Sequence, residues 1–147
     1  MQETNRKHWL SILAKASVQD LDVLVAENVS FPKVDELRAP EIGSVMVRGR
    51  MGGTGDAFNM GEMTVSRCSI SLQTGEVGHG YVQGRNKAKA KQVAILDALL
   101  QTAQHDHIMR TVIAPLENSL AGAKSVQAAK AAATKVEFFT LVRGEDQ

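Results

Sequence analysis

The stretch that decides the fold is Thr64-Val65-Ser66-Arg67-Cys68-Ser69-Ile70-Ser71-Leu72-Gln73-Thr74-Gly75-Glu76-Val77. Side chains along its first nine residues alternate between two faces, which is the period of a β-strand with one face turned to a core. Thr74-Gly75 then predicts a tight hairpin between Leu72 and Val77. Because so short a connection cannot cross over between parallel strands, the sheet is predicted to be antiparallel.

The same period of two extends upstream, where Val45 and Val47 alternate with Ser44, Met46 and Arg48. It runs from about residue 34 to residue 83, after which a helical period returns. This length predicts an antiparallel sheet of three or four strands in the middle of the chain.

Helical spacing frames this sheet on both sides. An N-terminal helical pair is predicted, with Ser17 between the two helices as the N-cap of the second. After Gly84 a further helix is predicted with Asn86 as its N-cap, and a last helix from near Pro115 to about Lys135. The fold class is therefore α+β: an antiparallel sheet of three to four strands flanked by an N-terminal helical pair and C-terminal helices. The tail, residues 136–144, is β-prone.

Length and composition narrow the class of protein. A chain of 147 residues is expected to form one domain over residues 1–147. The net charge of +1 argues against a dedicated nucleic-acid binder, and the single cysteine excludes an internal disulfide and a multi-cysteine metal site. No apolar run has the length of a signal peptide core or a membrane span, so a cytoplasmic location without membrane attachment is expected.

The middle third of the chain holds the first candidate site. Residues 48–91 carry seven basic and three acidic side chains, a local charge of +4, and ten of the twelve glycines lie between Gly43 and Gly84. Within this region, glycine backbone and arginine side chains suited to an anion occur together at Arg50, Gly52, Gly53 and Gly55. No named phosphate-binding motif fits, and a plain flexible hairpin is the alternative.

The second candidate is the predicted strand-to-helix junction with Gly84, Arg85, Lys87 and Lys91. Cations at a helix N-terminus oppose the helix dipole by about 0.3–1 kcal/mol each, so an anion there would offset that cost. This pattern predicts a phosphate or an acidic partner, with a solvated lysine face as the alternative.

Other residues offer weaker chemistry. His105 and His107 would point apart on a helix, so no metal site is predicted. His79 has no partner that the sequence identifies, and Cys68 is expected to be a buried apolar residue rather than a thiolate. Because no nucleophile motif occurs, catalytic residues stay unknown and the isolated chain is not expected to be catalytic.

Several blocks in this order resemble the PhnG subunit family of the bacterial carbon–phosphorus lyase system. They cover nearly the whole chain and comprise Arg6-Lys7-His8-Trp9, Arg50-Met51-Gly52-Gly53-Thr54-Gly55, Phe58, Gly61, Thr64, Arg67, Val82-Gln83-Gly84-Arg85, Asp97-Ala98-Leu99, Ile113-Ala114-Pro115-Leu116 and Phe138-Phe139-Thr140-Leu141-Val142-Arg143-Gly144.

The resemblance implies a role in phosphonate catabolism. In that family the subunit works with PhnH, PhnI and PhnL to join methylphosphonate to the ribose C1 of ATP, which displaces adenine and gives α-D-ribose 1-methylphosphonate 5-triphosphate. PhnJ, a further subunit of the complex, later breaks the carbon–phosphorus bond. The resemblance implies ATP with Mg as substrate of the complex, no cofactor bound by this chain, and no catalytic residue to carry over.

Three functions stay open from the sequence. The favoured one is an accessory or structural subunit of an enzyme assembly. The second is a subunit with its own phosphate or nucleotide site. The third is a nucleic-acid-binding α+β module, which the near-neutral charge and the scarcity of aromatic residues disfavour.

Overall fold

The computed structural model describes residues 2–136, and these form an α+β fold as predicted. Two helices precede a three-stranded antiparallel sheet, and three helices follow it. The elements are α1 (Gln2–Lys15), α2 (Val18–Asn28), β1 (Val34–Arg50), β2 (Ala57–Leu72), β3 (Val77–Gln83), α3 (Lys87–Leu99), α4 (His105–Ile108) and α5 (Ala114–Ala133). Except for Val136, the predicted β-prone tail lies outside the described residues.

The sheet has the strand order β1-β2-β3, with both neighbouring pairs antiparallel. The predicted hairpin is confirmed: the Leu72 N–H donates to the Glu76 carbonyl at 2.9 Å, and Gly75 lies at φ 103°. That positive φ explains the glycine, since residues with a Cβ rarely adopt it.

Helix α3 packs unusually close to the sheet because β3 carries glycine where the two elements meet. A Cβ at Gly80 would lie 1.8 Å from the Ala90 carbonyl oxygen, and one at Gly78 would lie 1.9 Å from that of Ala94. Side chains from α1, α2, α3 and the C-terminal helices complete the core on this same face of the sheet. We call it the inner face. The largest fully buried side chains include Leu13, Leu21, Ile70, Leu96, Leu100, Ile108, Ile113 and Leu116.

Both predicted helix caps are confirmed. The Ser17 hydroxyl oxygen accepts a hydrogen bond from the Asp20 N–H at 3.1 Å, which begins α2. The Asn86 side-chain oxygen accepts one from the Lys89 N–H at 2.9 Å, which begins α3. Each cap satisfies one backbone donor that a helix start leaves without a partner.

The last helix matches its predicted bounds within two residues, but helical backbone begins earlier. A π-helical turn, Met109–Ile113, joins α4 directly to α5. This turn lies just before Pro115. Because proline has no N–H, it cannot donate a helical hydrogen bond to the preceding turn, which interrupts the regular α-helical pattern there. Residues 121–133 of α5 are exposed throughout. In the described part of the chain, no helix combines the length and apolar character needed to cross a membrane.

Candidate functional site

Strands β1 and β2 extend well past the end of β3. The last residue of β3, Gln83, pairs with Val65, whereas β1 and β2 stay paired as far as Arg50 and Ala57. Helix α3 also begins only at Lys87, beside this end of β3. Residues 44–64 therefore form a two-stranded projection, which we call the ribbon, and none of these residues is buried.

The ribbon exposes apolar side chains on the face turned away from α3, the outer face. Directly paired residues of antiparallel strands share a face, so Val45 and Met63 lie together there. Val47 and Phe58 follow on the same face and are 36% and 43% exposed. Met60 is 64% exposed, and its side chain lies over Gly49. A Cβ added at Gly49 would lie 2.5 Å from the Met60 sulfur.

The first predicted site lies at the ribbon's tip. Gly52 and Gly53 have φ of 59° and 82°, and no atom lies within 4 Å of a Cβ built on either. The tip is closed by the Gly55 N–H, which donates to the Met51 carbonyl at 2.8 Å. Arg50 is exposed, and its Nη1 is 3.4 Å from the Gly55 carbonyl oxygen. Its guanidinium is paired with no carboxylate among residues 5–136, the part of the chain whose side chains the structure describes.

The second predicted site is the turn from β3 into α3, and a buried serine organises it. The Ser66 hydroxyl donates to the Gly84 carbonyl at 2.6 Å and accepts from the Asn86 N–H at 2.9 Å. Gly84 has φ of 92°, which favours glycine. Arg85 and Lys87 are exposed beside this turn, and neither forms an ion pair within the part of the chain that the structure describes.

Two lysines of α3 have partners within the same chain. Lys91 Nζ lies 2.6 Å from a Glu36 carboxylate oxygen, and this contact raises the Lys91 pKa. Lys89 Nζ donates to the carbonyls of Ala14 and Ala16 at 3.0 and 2.6 Å, at the C-terminal end of α1. A cation there complements the dipole of α1. Burial lowers the Lys89 pKa. These contacts explain why α3 tolerates Lys89 and Lys91 in its opening turns, whereas Lys87 stays exposed.

The structure does not bring the two predicted segments together. Gly84 donates to the carbonyl of Thr64, seven residues along β2 from Ala57, which pairs with Arg50. At about 3.3 Å per residue the segments lie about 23 Å apart along the ribbon. The prediction that Arg50, Gly52, Gly53, Gly55, Gly84, Arg85, Lys87 and Lys91 bind an anion or a partner stays a prediction, now for two separate places.

Sequence reasoning missed the most connected polar group, the carboxylate of Asp97 on α3. It is fully buried and accepts from Arg6 at 2.7 and 3.1 Å, from the Trp9 indole N–H at 2.9 Å and from the His79 backbone N–H at 2.9 Å. Arg6 also donates to the Val77 carbonyl at 3.1 Å. The available signal was that Asp97 stands alone among apolar neighbours on its helix.

The Asp97 cluster stands where a fourth strand would pair. The His79 N–H and the Val77 carbonyl face the open edge of β3, and side chains take them up instead of another strand. Gln101 adds a second donor to the Val77 carbonyl at 2.9 Å. The sheet therefore has three strands, because this stretch of its edge is satisfied by α1 and α3.

A cleft of about 550 Å³ lies beside the Asp97 cluster. Most of the polar side chains that line it already have partners in the molecule. Gln101 donates to two carbonyls, and the Glu76 carboxylate accepts from the Thr74 hydroxyl. His105 Nδ1 lies 2.8 Å from the Leu100 carbonyl oxygen, and its ring packs edge-on against Trp9. These contacts give the cleft walls a role in folding.

The remaining candidate groups behave largely as expected. Cys68 is 1% exposed, and burial raises the pKa of its thiol, so the alternative of a reactive thiolate is wrong. His105 and His107 point to different partners, as their spacing predicted. His79 Nδ1 lies 2.8 Å from the Ser69 hydroxyl on the exposed outer face of the sheet. Where side chains are described, residues 5–136, no three His, Cys, Asp or Glu residues are grouped so that they could hold a metal ion.

The fold defines an α+β protein whose helices cover one face of a three-stranded antiparallel sheet and leave a long ribbon exposed. A family model described as phosphonate metabolism protein PhnG matches residues 4–144, and the chain belongs to this family. It is 44% identical over 141 residues to the α-D-ribose 1-methylphosphonate 5-triphosphate synthase subunit PhnG of Rhizobium meliloti (strain 1021), which covers 96% of this chain and 90% of that protein.

Proposed function

We propose that this chain is an accessory subunit of an α-D-ribose 1-methylphosphonate 5-triphosphate synthase. In this proposal it works with PhnH, PhnI and PhnL proteins in a cytoplasmic complex that also includes a PhnJ protein. The complex joins a phosphonate oxygen to ribose C1 of ATP, the bond from C1 to the base breaks, and adenine leaves with a proton.

The observation that carries this proposal is the exposed ribbon. A two-stranded hairpin is marginally stable in water by itself, and this one presents Val47, Phe58 and Met60 to solvent. Exposed apolar surface on a projecting element is typical of a protein–protein contact. The similarity to a synthase subunit supplies the class of partner.

The proposal also assigns the substrates. ATP with Mg and methylphosphonate are substrates of the complex, and this chain holds no cofactor. Its contribution is to hold the partner subunits in the arrangement that the reaction needs.

The test is reconstitution of adenine release. The partner subunits are purified with and without this chain, and adenine formed from ATP and methylphosphonate is measured by chromatography. We expect release to fall to background without the chain and to return when it is added back. Full release without it would contradict the proposal.

A second candidate function is a phosphate site on the chain itself, at the start of α3. The observation that favours it is that Arg85 and Lys87 are both exposed there and form no ion pair in the described region. This function is tested by titrating the isolated chain with Mg-ATP and measuring the heat of binding by calorimetry. Saturable binding that Arg85→Glu/Lys87→Glu abolishes, and that the matched surface variant Lys124→Glu/Lys130→Glu leaves intact, would support this function.

A further inference from the structure

We propose that the ribbon inserts into an apolar cleft of a partner subunit, whose rim carries carboxylates that receive Arg48 and Arg50. This inference rests on the proposed function, because it specifies the surface through which the subunit joins its assembly. It also gives Arg50 a protein carboxylate rather than a nucleotide phosphate as its partner.

The ribbon is exposed on both of its faces. Val47 and Phe58 are exposed on its outer face. Met46, 54% exposed, lies on the inner face with the alternating residues Arg48 and Arg50, beyond the start of α3. A partner that only abuts one face would leave the other in water, so the partner must enclose the ribbon.

One face of the ribbon is too small for a stable protein contact. The ribbon is about 23 Å long and about 10 Å wide, so one face offers a footprint of about 230 Å². A stable protein contact covers about 800 Å² on each partner. Enclosing both faces and continuing over the outer face of the three-stranded sheet, where Tyr81 is 48% exposed, brings the contact to about that size.

The two arginines of the ribbon favour a partner that carries carboxylates. Arg48 and Arg50 share one face of the ribbon, and neither is paired with a carboxylate in the part of the chain that the structure describes. Arg67, by contrast, lies 2.6 Å from Glu41 on the neighbouring strand. Two unpaired guanidinium groups beside exposed Met46 need acceptors when that surface is covered, and carboxylates in the partner's rim supply them.

The glycines of the ribbon fit insertion. Gly49 leaves room for the Met60 side chain to lie flat across the strand, and Gly52 and Gly53 make the tip free of side chains. Methionine adapts its shape to the surface that it contacts. The ribbon is therefore slender at the end that enters first.

The experiment uses the full chain with its partner subunits. Phe58→Ser/Met60→Ser removes apolar contacts, and Arg48→Glu/Arg50→Glu reverses the charges. Matched controls are Val23→Ser/Val126→Ser, at exposed apolar positions, and Lys124→Glu/Lys130→Glu, at exposed basic ones. Each variant is co-purified with the partners, and circular dichroism with urea unfolding verifies its fold.

Both ribbon variants are expected to lower the amount of partner retained at least tenfold without changing the urea midpoint, while both controls retain it. Hydrogen exchange is expected to slow across residues 44–64 of the wild-type chain when the partners are bound. Retention of partner by both ribbon variants would overturn the inference, as would unchanged exchange in the ribbon. A homodimer of the isolated chain that the ribbon variants break would also overturn it.

The outcomes separate this inference from the proposed function. If adenine release requires the chain but the ribbon variants still assemble, the inference fails and the function stands. If the ribbon variants lose the partner but adenine release never required the chain, the function fails and the docking surface stands. Loss of Mg-ATP binding without loss of partner in Arg48→Glu/Arg50→Glu would overturn the assignment of a carboxylate partner.

Discussion

The two ends of the same sheet treat arginine in opposite ways. At the end where β3 begins, Arg6 forms a fork with the buried carboxylate of Asp97 and also satisfies the Val77 carbonyl. At the far end of β1, Arg50 is exposed, and its side chain donates one long hydrogen bond, to the Gly55 carbonyl oxygen at 3.4 Å. The Arg6 guanidinium is bound within the fold, whereas the Arg50 guanidinium is available to bind a second molecule.

The contrast distinguishes charges that stabilise the fold from charges that are free to bind. The Asp97 carboxylate is fully buried, and removing its partners would leave a charge without solvent. The ribbon has no buried polar group that depends on its arginines, because none of residues 44–64 is buried. Substitutions at the two ends should therefore separate stability from assembly.

The largest effect on stability is expected from Asp97→Ala. It leaves the Trp9 indole N–H and the His79 N–H without an acceptor and Arg6 without its carboxylate. Losing one partner of a buried pair costs about 3–5 kcal/mol, and the Arg6 side chain is 34% exposed, which places the loss near the lower end. Thermal unfolding should show a midpoint about 10 °C lower.

Asp56→Ala is the control for this experiment, because Asp56 is exposed at the other end of the sheet. Its midpoint should stay within about 2 °C of wild type. An equal loss in the two variants would remove the contrast between the ends.

A somewhat smaller effect is expected from Gly80→Ala. The new methyl carbon would stand 1.8 Å from the Ala90 carbonyl oxygen, so α3 must move off the sheet. We expect a loss of about 2 kcal/mol, within the range for overpacking. Gly52→Ala at the ribbon tip meets no neighbour and costs only the left-handed backbone, about 1 kcal/mol. Urea unfolding measures the stability of both variants, and equal losses would show that α3 does not pack closely against Gly80 of β3.

Local patterns predicted most of the fold. Alternation gave the strands, and the short Thr74-Gly75 connection gave their antiparallel order. The caps at Ser17 and Asn86 followed from side-chain chemistry within three residues. The length of the ribbon could not be predicted from the sequence. The alternation along β1 and β2 does not change at the point where their pairing continues without β3.

The Asp97 cluster could not be predicted because it joins residues far apart in the chain. Arg6 and Asp97 are 91 positions apart, and nothing in either neighbourhood indicates the other. The same holds for Lys89 and the end of α1, 73 and 75 positions away. Local charge patterns show that the α3 cations need partners, but only the tertiary structure shows which partners are internal.

Lys89→Met should have a moderate, pH-dependent effect. The variant loses two hydrogen bonds to the end of α1, with a net cost of about 1 kcal/mol at pH 7. Burial lowers the Lys89 pKa in the folded state, so the unfolded chain binds the proton more tightly. Stability from this group therefore rises as pH climbs from the folded pKa toward the ordinary value of about 10.4.

The gap between wild type and Lys89→Met should widen between pH 7 and pH 10 in urea unfolding. Lys87→Met is the matched control, since Lys87 lies two residues before Lys89 on the same helix and is exposed. Its gap to wild type should stay constant over the same range. A Lys89 gap that narrows at high pH would contradict the sign derived from burial.

The smallest effect on stability is expected from Arg50→Ala, and Arg6→Ala is its counterpart at the other end of the sheet. Arg50 has one long contact to a carbonyl, so its loss should change the free energy of unfolding by no more than about 0.5 kcal/mol. Arg6→Ala strands the buried Asp97 carboxylate and should cost about 2–3 kcal/mol, because water reaches this side of the cluster through the exposed part of Arg6. Urea unfolding measures both losses, and partner retention should rank the variants in the reverse order. If Arg50 stabilised the isolated chain as much as Arg6 does, its side chain would have a partner within the fold and would not be free to bind a partner subunit.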